Sequence, residues 1–457
     1  MSYNPPVQRE QRASTAPATL ISLRSFMDRR RVIPIFVTVF TNILGAGVIL
    51  PILPIYAEGN FGASAFQATL LNAAYFAAQF LAAPWLGRLS DRVGRRPVLI
   101  ISQIGTVFSF VLFIFALPIG AALDRAGLAL GISGGLFMLY VARILDGLTG
   151  GNISTAQAYM SDISTPQTRA QALGLISAAF GLGFIFGPAF GGILAQYNLV
   201  APFVGAAVIT SLSVLLTMIL LEESLPPEKR EEAMAARSRR SPGREFLRNR
   251  TILLILGLSA SIVLAFSALQ STFALYAQAT LFSDLPDSLV ARNVGGILAF
   301  VGMVSVLTQL VLIKPLVQRF GEQRLILFGQ VGLFIGLLGV GLSTTPWLVT
   351  LFIAPVAFSQ GINQPSLQSL ITRFGTDKSR GQLLGLIQSA NSLGFILGPV
   401  WAGLAFDYIS PRAPYLIGAM MMFVTFGLAL LLLRRDIPMA AARPGPGTPP
   451  GSEGTRP

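Results

Sequence analysis

One carboxylate in this chain sits deep inside an apolar stretch. Asp146 lies within YVARILDGLTGGNISTAQAYMSD (140–162), three residues after Arg143. The chain has 20 acidic residues and no histidine. The other acids fall in tails, in connections or, like Glu58 and Asp407, at the ends of apolar stretches. Without histidine, proton exchange near neutral pH falls to a carboxylate whose proton affinity burial has raised. Arg143 stands eight residues from one end of its stretch. At ~1.5 Å per residue it is ~12 Å deep, near the midplane of a bilayer. A charge at that depth costs several kcal/mol unless paired or hydrated. Two readings are open: a mutually neutralised pair that only stabilises, or a proton-coupling site. In the second, Asp146 carries the proton and Arg143 tunes it or contacts a solute. Intramembrane charges are functional by default, which favours the second.

Other chemistries fail on composition. There is no cysteine, so disulfides, thiolate metal sites and cysteine nucleophiles are excluded. Without histidine there is no HExxH metal site and no serine–histidine triad. No second buried acid completes an aspartyl dyad. The expectation is no enzyme, no metal and no cofactor.

The elements that hold Arg143 and Asp146 must be membrane helices. Hydrophobic residues make up 53% of the chain and charged ones 12%, about half the usual soluble share. Mean hydropathy is +0.66. Twelve stretches reach the ~20 residues a spanning helix needs. They are 33–56, 67–86, 97–117, 135–159, 170–195, 202–221, 251–278, 290–313, 325–342, 347–371, 381–406 and 413–433. The fold class expected is an all-α integral membrane protein with twelve transmembrane helices in two six-helix pseudo-repeats.

Charge gives the orientation. Of the 33 basic residues, all but four lie in the tails or in alternate connections on the side of the termini. The exceptions are Arg125, Arg292 and Arg412 opposite, and Arg143 within a span. Basic connections stay cytoplasmic, so both termini should be cytoplasmic, in a bacterial inner membrane. The net charge of +13 is thus a topology signal and not a nucleic-acid footprint.

The chain divides at a charged linker, 222–250, between six-helix halves at 33–221 and 251–435. RAQALGLISAAFGLGFIFGP from Arg169 matches RGQLLGLIQSANSLGFILGP from Arg380 without a gap, pairing Gly174 with Gly385 and Pro188 with Pro399. Two repeated halves around a central site are a general carrier architecture. The tails are 1–32 and 436–457, and the stretches 1–27 and 440–457 within them have the Pro, Gly, Ser and Thr content of disordered segments.

Two further motifs stand out. GRLSDRVGRRPVL (87–99) fills the turn after the second stretch. Gly87 and Gly94 permit a tight reversal, and Asp91 can accept from Arg92 or Arg95. The corresponding second-half turn, KPLVQRFGEQRLI, is degenerate: Gln318 replaces the acid, while Arg319 and Gly321 remain. In the fifth stretch, Gly183, Gly187 and Gly191 recur every fourth residue, which bares one face for a close neighbour. Pro188 removes a backbone donor and should bend the helix. Helical phase puts Ile185 toward lipid.

These segments resemble the signatures of the major facilitator superfamily. Gly87, Leu89, Asp91, Arg92, Gly94, Arg95 and Arg96 match its loop signature, which implies a role in conformational switching. Gly183, Gly187, Pro188, Gly191 and Gly192 resemble its antiporter motif in helix 5, and Arg143, Gly147 and Gly151 its helix-4 motif. The first stretch, NILGAGVILPILPIYA, is similar to the drug:proton antiporters of the tetracycline-efflux-like branch. Those exporters carry an acid in helix 1, where this chain offers only Thr41 and Asn42.

The second half has amides where charges would otherwise be. Gln270, Gln360, Asn363, Gln388 and Asn391, with Asn42 and Arg143, are the candidates for a cavity that takes an uncharged or amphipathic solute. For any one amide the competing reading is an interhelical hydrogen bond. The function expected is proton-coupled export of a small amphipathic or drug-like molecule by a monomer, with protons as coupling ion. A sugar or metabolite importer and a non-transporting receptor are the alternatives.

Overall fold

A computed structural model describes residues 29–127, 131–165, 168–238, 244–375 and 379–435. Both tails lie largely outside these residues. The described secondary structure is entirely helical. In chain order the helices are α1 (Arg29–Ile49), α2 (Leu53–Phe61), α3 (Ala65–Val93), α4 (Arg95–Ile114), α5 (Ala116–Arg125), α6 (Gly134–Gly150), α7 (Ile153–Asp162), α8 (Arg169–Ala195) and α9 (Ala201–Leu220). The linker adds α10 (Pro227–Ser238) and a 3-10 turn at Arg244–Arg248. Then come α11 (Arg250–Tyr276), α12 (Asp287–Leu307), α13 (Ile313–Leu342), α14 (Pro346–Thr372), α15 (Arg380–Tyr408) and α16 (Ala413–Leu433).

Each of the twelve apolar stretches falls on helix. Eight described helices or helix runs are long and apolar enough to cross a membrane. One of these, 287–342, reverses at Gly321, whose φ of 75° is open to glycine but unfavourable for other residues. Local chemistry sets the breaks. Pro51, between α1 and α2, and Pro54, in the first turn of α2, remove donors there. Ser64 starts α3 with a reciprocal cap, its hydroxyl accepting from Gln67 N while the Gln67 side chain accepts from Ser64 N. Gly151 and Asn152 interrupt the fourth stretch between α6 and α7. The linker, read from sequence only as charged, holds a helix that packs on α3.

The side that carries the two ends of the chain is called proximal, and the other distal. The halves meet along two seams. One runs between α8 and α12, from Gly192 against Arg292 to Gly181 against Val306. The other runs between α3 and α15, from Asp407, which accepts from Ala65 N and Phe66 N at 3.0 and 2.9 Å, to the stacked rings of Phe76 and Phe395 at 4.7 Å. Nearer the proximal side, Gly174, Gly381 and Gly385 have nothing among the described residues within 4 Å of where a Cβ would stand. The halves are therefore closed distally and part proximally.

The glycine face of α8 packs as its spacing requires. A Cβ on Gly183, Gly187 or Gly191 would stand against Ile43, Gly47 or Val48 of α1 at 2.7–2.8 Å, inside van der Waals contact. Gly192 looks the other way, toward the backbone of α12. Pro188 sits in α8 without interrupting it. The carbonyl it leaves without an i+4 donor, on Phe184, lies against Gly302 of α12. Ile185 is not lipid-facing as its phase suggested: its Cα and Cγ1 stand 3.1 Å from the Cβ position of Gly302. Phe186, 52% exposed, is on the outer face instead.

Candidate functional site

Arg143 and Asp146 are one turn apart on α6, and both are buried, with 4% and 5% exposure. Arg143 Nη1 lies 3.3 Å from Asp146 Oδ2. On its other side the guanidinium is held by groups that the sequence did not single out. Asn72 Oδ1, on α3, accepts from Arg143 Nη2 at 3.0 Å. The Leu71 carbonyl accepts from Nε at 3.4 Å. The Tyr75 ring lies 4.2 Å from the guanidinium carbon, within cation–π range. Gln79 completes the stripe, donating to Tyr75 Oη and to the Gly150 carbonyl at 3.0 Å each. Asn72, Tyr75 and Gln79 recur at helical spacing on one face of α3, which is the signal the sequence did carry.

Gly147 explains how α6 comes so close. A Cβ there would overlap the Tyr75 carbonyl, and one on Gly151 would meet Leu86 at 2.9 Å. With two backbones in contact, the Arg143 side chain has several α3 partners within reach. The site is thus a buried cation held by one carboxylate, two neutral acceptors and an aromatic face. Neutralising the carboxylate leaves the guanidinium its other partners.

The amides divide by placement. Asn42, Gln270 and Gln360 are half-buried, and Gln388 is exposed. The Gln360 Nε2 group has no hydrogen-bond partner among the described residues. Asn363 is wholly enclosed, packed between α14 and Gly329 of α13, and no partner among the described residues meets either of its side-chain polar atoms. Asn391 is buried between α15 and α11, where its oxygen accepts from Ser259 at 2.6 Å. These two serve helix packing within the half, while the other four remain free to line an opening.

The turn 87–96 is tightly built. Arg95 Nη1 donates to Asp91 Oδ1 at 2.5 Å and to Ser90 Oγ at 2.7 Å, while its Nε donates to Asp162 Oδ2 at 3.1 Å. Glu223, beyond α9, accepts from Arg95 N and Arg96 N at 2.8 and 3.1 Å, capping α4. Gly94 has φ 109°, and a Cβ there would overlap the Glu223 carboxylate. Arg96 donates to the Met218 carbonyl at 2.6 Å. Gly87 is buried and Arg92 exposed.

The second-half turn is not degenerate in space. Gly321 repeats the positive φ of Gly94. The next residue, Glu322, pairs with Arg373 and accepts from Ser369 at 2.9 Å. Asp162 and Arg373 have the same separation as Gly174 and Gly385, so they are equivalent positions. The first half joins base 95 to acid 162, and the second joins acid 322 to base 373. The pair persists with its charges exchanged, which a comparison of residue types could not detect.

An all-helical membrane protein of two parallel repeats, closed on one side and parted on the other, belongs to the class of membrane transporters. The sequence profile of the Major Facilitator Superfamily matches residues 35–312 and 264–453. The chain belongs to that superfamily: it is a multi-pass membrane transporter of small-molecule solutes, not an enzyme. It is 32% identical over 394 residues to the class C tetracycline resistance protein of Escherichia coli, covering 83% of this chain and 93% of that one. It is 29% identical to multidrug resistance protein 2 of Bacillus subtilis (strain 168), covering 87% and 94%. In fold it is similar to the nucleoside transporter NupG, with a TM-score of 0.68, 13% identity and coverage of 89% and 99%. It is likewise similar to the human organic anion transporter MFSD10, at 0.61, 20%, 88% and 99%.

Proposed function

We propose that this transporter exports a small amphipathic or drug-like molecule in exchange for protons, by alternating access. One observation carries the coupling. Asp146 is the acid enclosed in mid-span, and its counter-ion Arg143 has independent partners in Asn72, Leu71 and Tyr75. A proton can therefore neutralise Asp146 without leaving the guanidinium unsolvated, which would otherwise cost several kcal/mol. Export is supported by the tetracycline and multidrug resistance relatives and by the resemblance of the helix-5 glycines to the antiporter motif. Helix 1 carries no acid, so the solute need not be tetracycline itself. Asn42, Gln270, Gln360 and Gln388 are the polar groups assigned to the solute path. The basic census supports cytoplasmic termini in a bacterial inner membrane, and the carrier is proposed to work as a monomer.

The test is transport by purified protein in liposomes, screened over a panel of amphipathic compounds that includes tetracycline. Accumulation that requires a pH gradient and reverses with its sign supports the reading. Accumulation that is indifferent to the gradient defeats proton coupling.

A further inference from the structure

Asp146 is enclosed between α3, α4 and α6, so the parting between the halves does not expose it. A polar seam leaves it in another direction, inside the first half. Six buried residues of α1, α4 and α9 make it: Thr106, Gln103, Ser213, Thr41, Thr38 and Thr217. Thr106, on α4, stands near the Asp146 carboxylate, and no hydrogen-bond partner among the described residues meets its hydroxyl. One turn nearer the proximal side, Gln103 Nε2 donates to Ser213 Oγ at 3.2 Å. Thr41 Oγ1 donates to the same Ser213 Oγ at 2.7 Å. Thr41 also reaches the Thr38 carbonyl at 3.1 Å, and the Thr38 and Thr217 hydroxyls lie 2.9 Å apart. Thr217 is within one turn of the end of α9, where Arg96 of the signature turn grips the neighbouring Met218 carbonyl.

The seam runs from mid-span to the proximal face, yet it joins helices of one half only. Small polar side chains between membrane helices often do no more than pack. Two features set these apart. They follow one another at helical-turn spacing from the charged site to the last turn of α9. In addition, Gln103 Oε1 and Thr106 Oγ1, on side chains 1% and 4% exposed, have no hydrogen-bond partner among the described residues, and both lie at the Asp146 end. Each hydroxyl can donate and accept at once, as a proton relay requires. Neither a carboxamide nor a backbone carbonyl relays, so two stretches need water: from Ser213 past Gln103 to Thr106, where the two orphaned oxygens are acceptors, and from Thr41 to the Thr38 hydroxyl.

We propose that this seam binds water and conducts protons between Asp146 and the proximal face, on a route separate from the solute's. The inference rests on Asp146 being the proton carrier. In the proximally open state the proton would leave through the body of the first half while the solute enters between the halves. The two would not compete for one aqueous opening.

The test needs no solute. Purified full-length protein in detergent is jumped from about pH 7.5 to about pH 6 in a stopped-flow instrument, above the range where ordinary carboxylates titrate, with a pH-indicating dye in solution. Gln103→Leu and Ser213→Ala should keep the wild-type amplitude of proton uptake but slow its rate by about tenfold, which corresponds to ~1.4 kcal/mol of barrier. Thr41→Val, which keeps the shape and loses the hydroxyl, should slow it likewise. Wild-type rates in all three variants would overturn the proposal and leave the seam as packing. Loss of amplitude in all three would overturn it too, because the residues would then be supporting the acid and not a path. Asp146→Asn, run beside them, should lose the fast amplitude. If it keeps that amplitude, the coupling reading itself fails, a result distinct from either of the others.

Discussion

Gly192 of α8 and Gly403 of α15 are equivalent positions in the two repeats, and each presses its bare Cα against a helix of the opposite half. Gly192 meets the backbone of Arg292 on α12, and Gly403 meets Phe66 on α3. The same repeat position thus supplies both seams that close the distal side. The same doubling holds within each half: Gly183 and Gly187 pack on α1 as Gly394 and Gly398 pack on α11. The distal closure is built symmetrically, while the charged site at Arg143 and Asp146 exists in one half only.

Close packing at the helix-5 motif is directly testable. Gly187→Leu would place its Cβ 2.8 Å from Gly47 Cα and the Leu44 carbonyl, both backbone atoms that cannot swing aside. Overpacking of this kind costs ~1–3 kcal/mol and should abolish transport. Phe186→Ile, on the exposed face, should transport normally. Wild-type transport by the Gly187 variant would refute the contact.

The charge-exchanged pair in the second half gives a second test. Glu322→Arg sets two guanidinium groups together, and Arg373→Glu two carboxylates. Each should lower the melting temperature in detergent, and the double exchange should recover most of the loss. The coupling expected between contacting charges is ~0.5–3 kcal/mol. Simple additivity would show that the pair contributes nothing. In the first half, Asp91→Asn should slow turnover by about tenfold, ~1.4 kcal/mol, with solute binding nearly unchanged. Equal losses of both would make the turn a folding element.

Glu58, at the distal end of α2 and outside the span, predicts a pH effect. Partial burial and then the nearby carboxylates of Asp287 and Asp407 push its pKa up from 4.5. Asp287 accepts from Gln278 at 3.0 Å, and Asp407 caps α3. An acid whose folded-state pKa is raised adds stability below its unfolded value, and that contribution is lost as pH rises through the folded value. The distally closed state should therefore gain stability as pH falls toward the carboxylate range. Glu58→Gln should lack this gain and at neutral pH should already melt higher than wild type. Identical pH profiles for the two proteins would exclude the effect.

Orientation is open to labelling, and the chain has no cysteine to remove. A cysteine at Glu232, on the exposed side of α10, should be shielded from an impermeant reagent added outside intact cells. One at Ser283, in the exposed distal loop, should react within the same time. The reverse pattern would invert the topology.

The helices were legible because lipid demands long apolar runs, and α8 because glycines at four-residue spacing expose a face that something must cover. Ile185 was misplaced since α8 is covered on two sides, by α1 and α12, and a single phase cannot show both. The α3 stripe that holds Arg143 escaped notice because Asn72, Tyr75 and Gln79 are individually unremarkable among membrane polar residues. Only the approach allowed by Gly147 turns them toward a charge. Asn363 and Asn391 looked like cavity residues because an amide in a span reads the same whether it faces a neighbour helix or an opening. The turn after α12 looked decayed because a salt bridge survives when both partners change sign.

Proton coupling depends most on Asp146, and one comparison addresses it. Wild type and Asp146→Asn are reconstituted side by side and given the same solute and the same pH gradient. The carboxamide preserves the size of the side chain and can still accept from Arg143, but it cannot take up and release a proton near neutral pH. Coupling through Asp146 predicts that the variant exchanges solute downhill yet does not concentrate it, at any gradient. Concentration of solute by Asp146→Asn at the wild-type rate would contradict it and leave Arg143 and Asp146 as a structural pair.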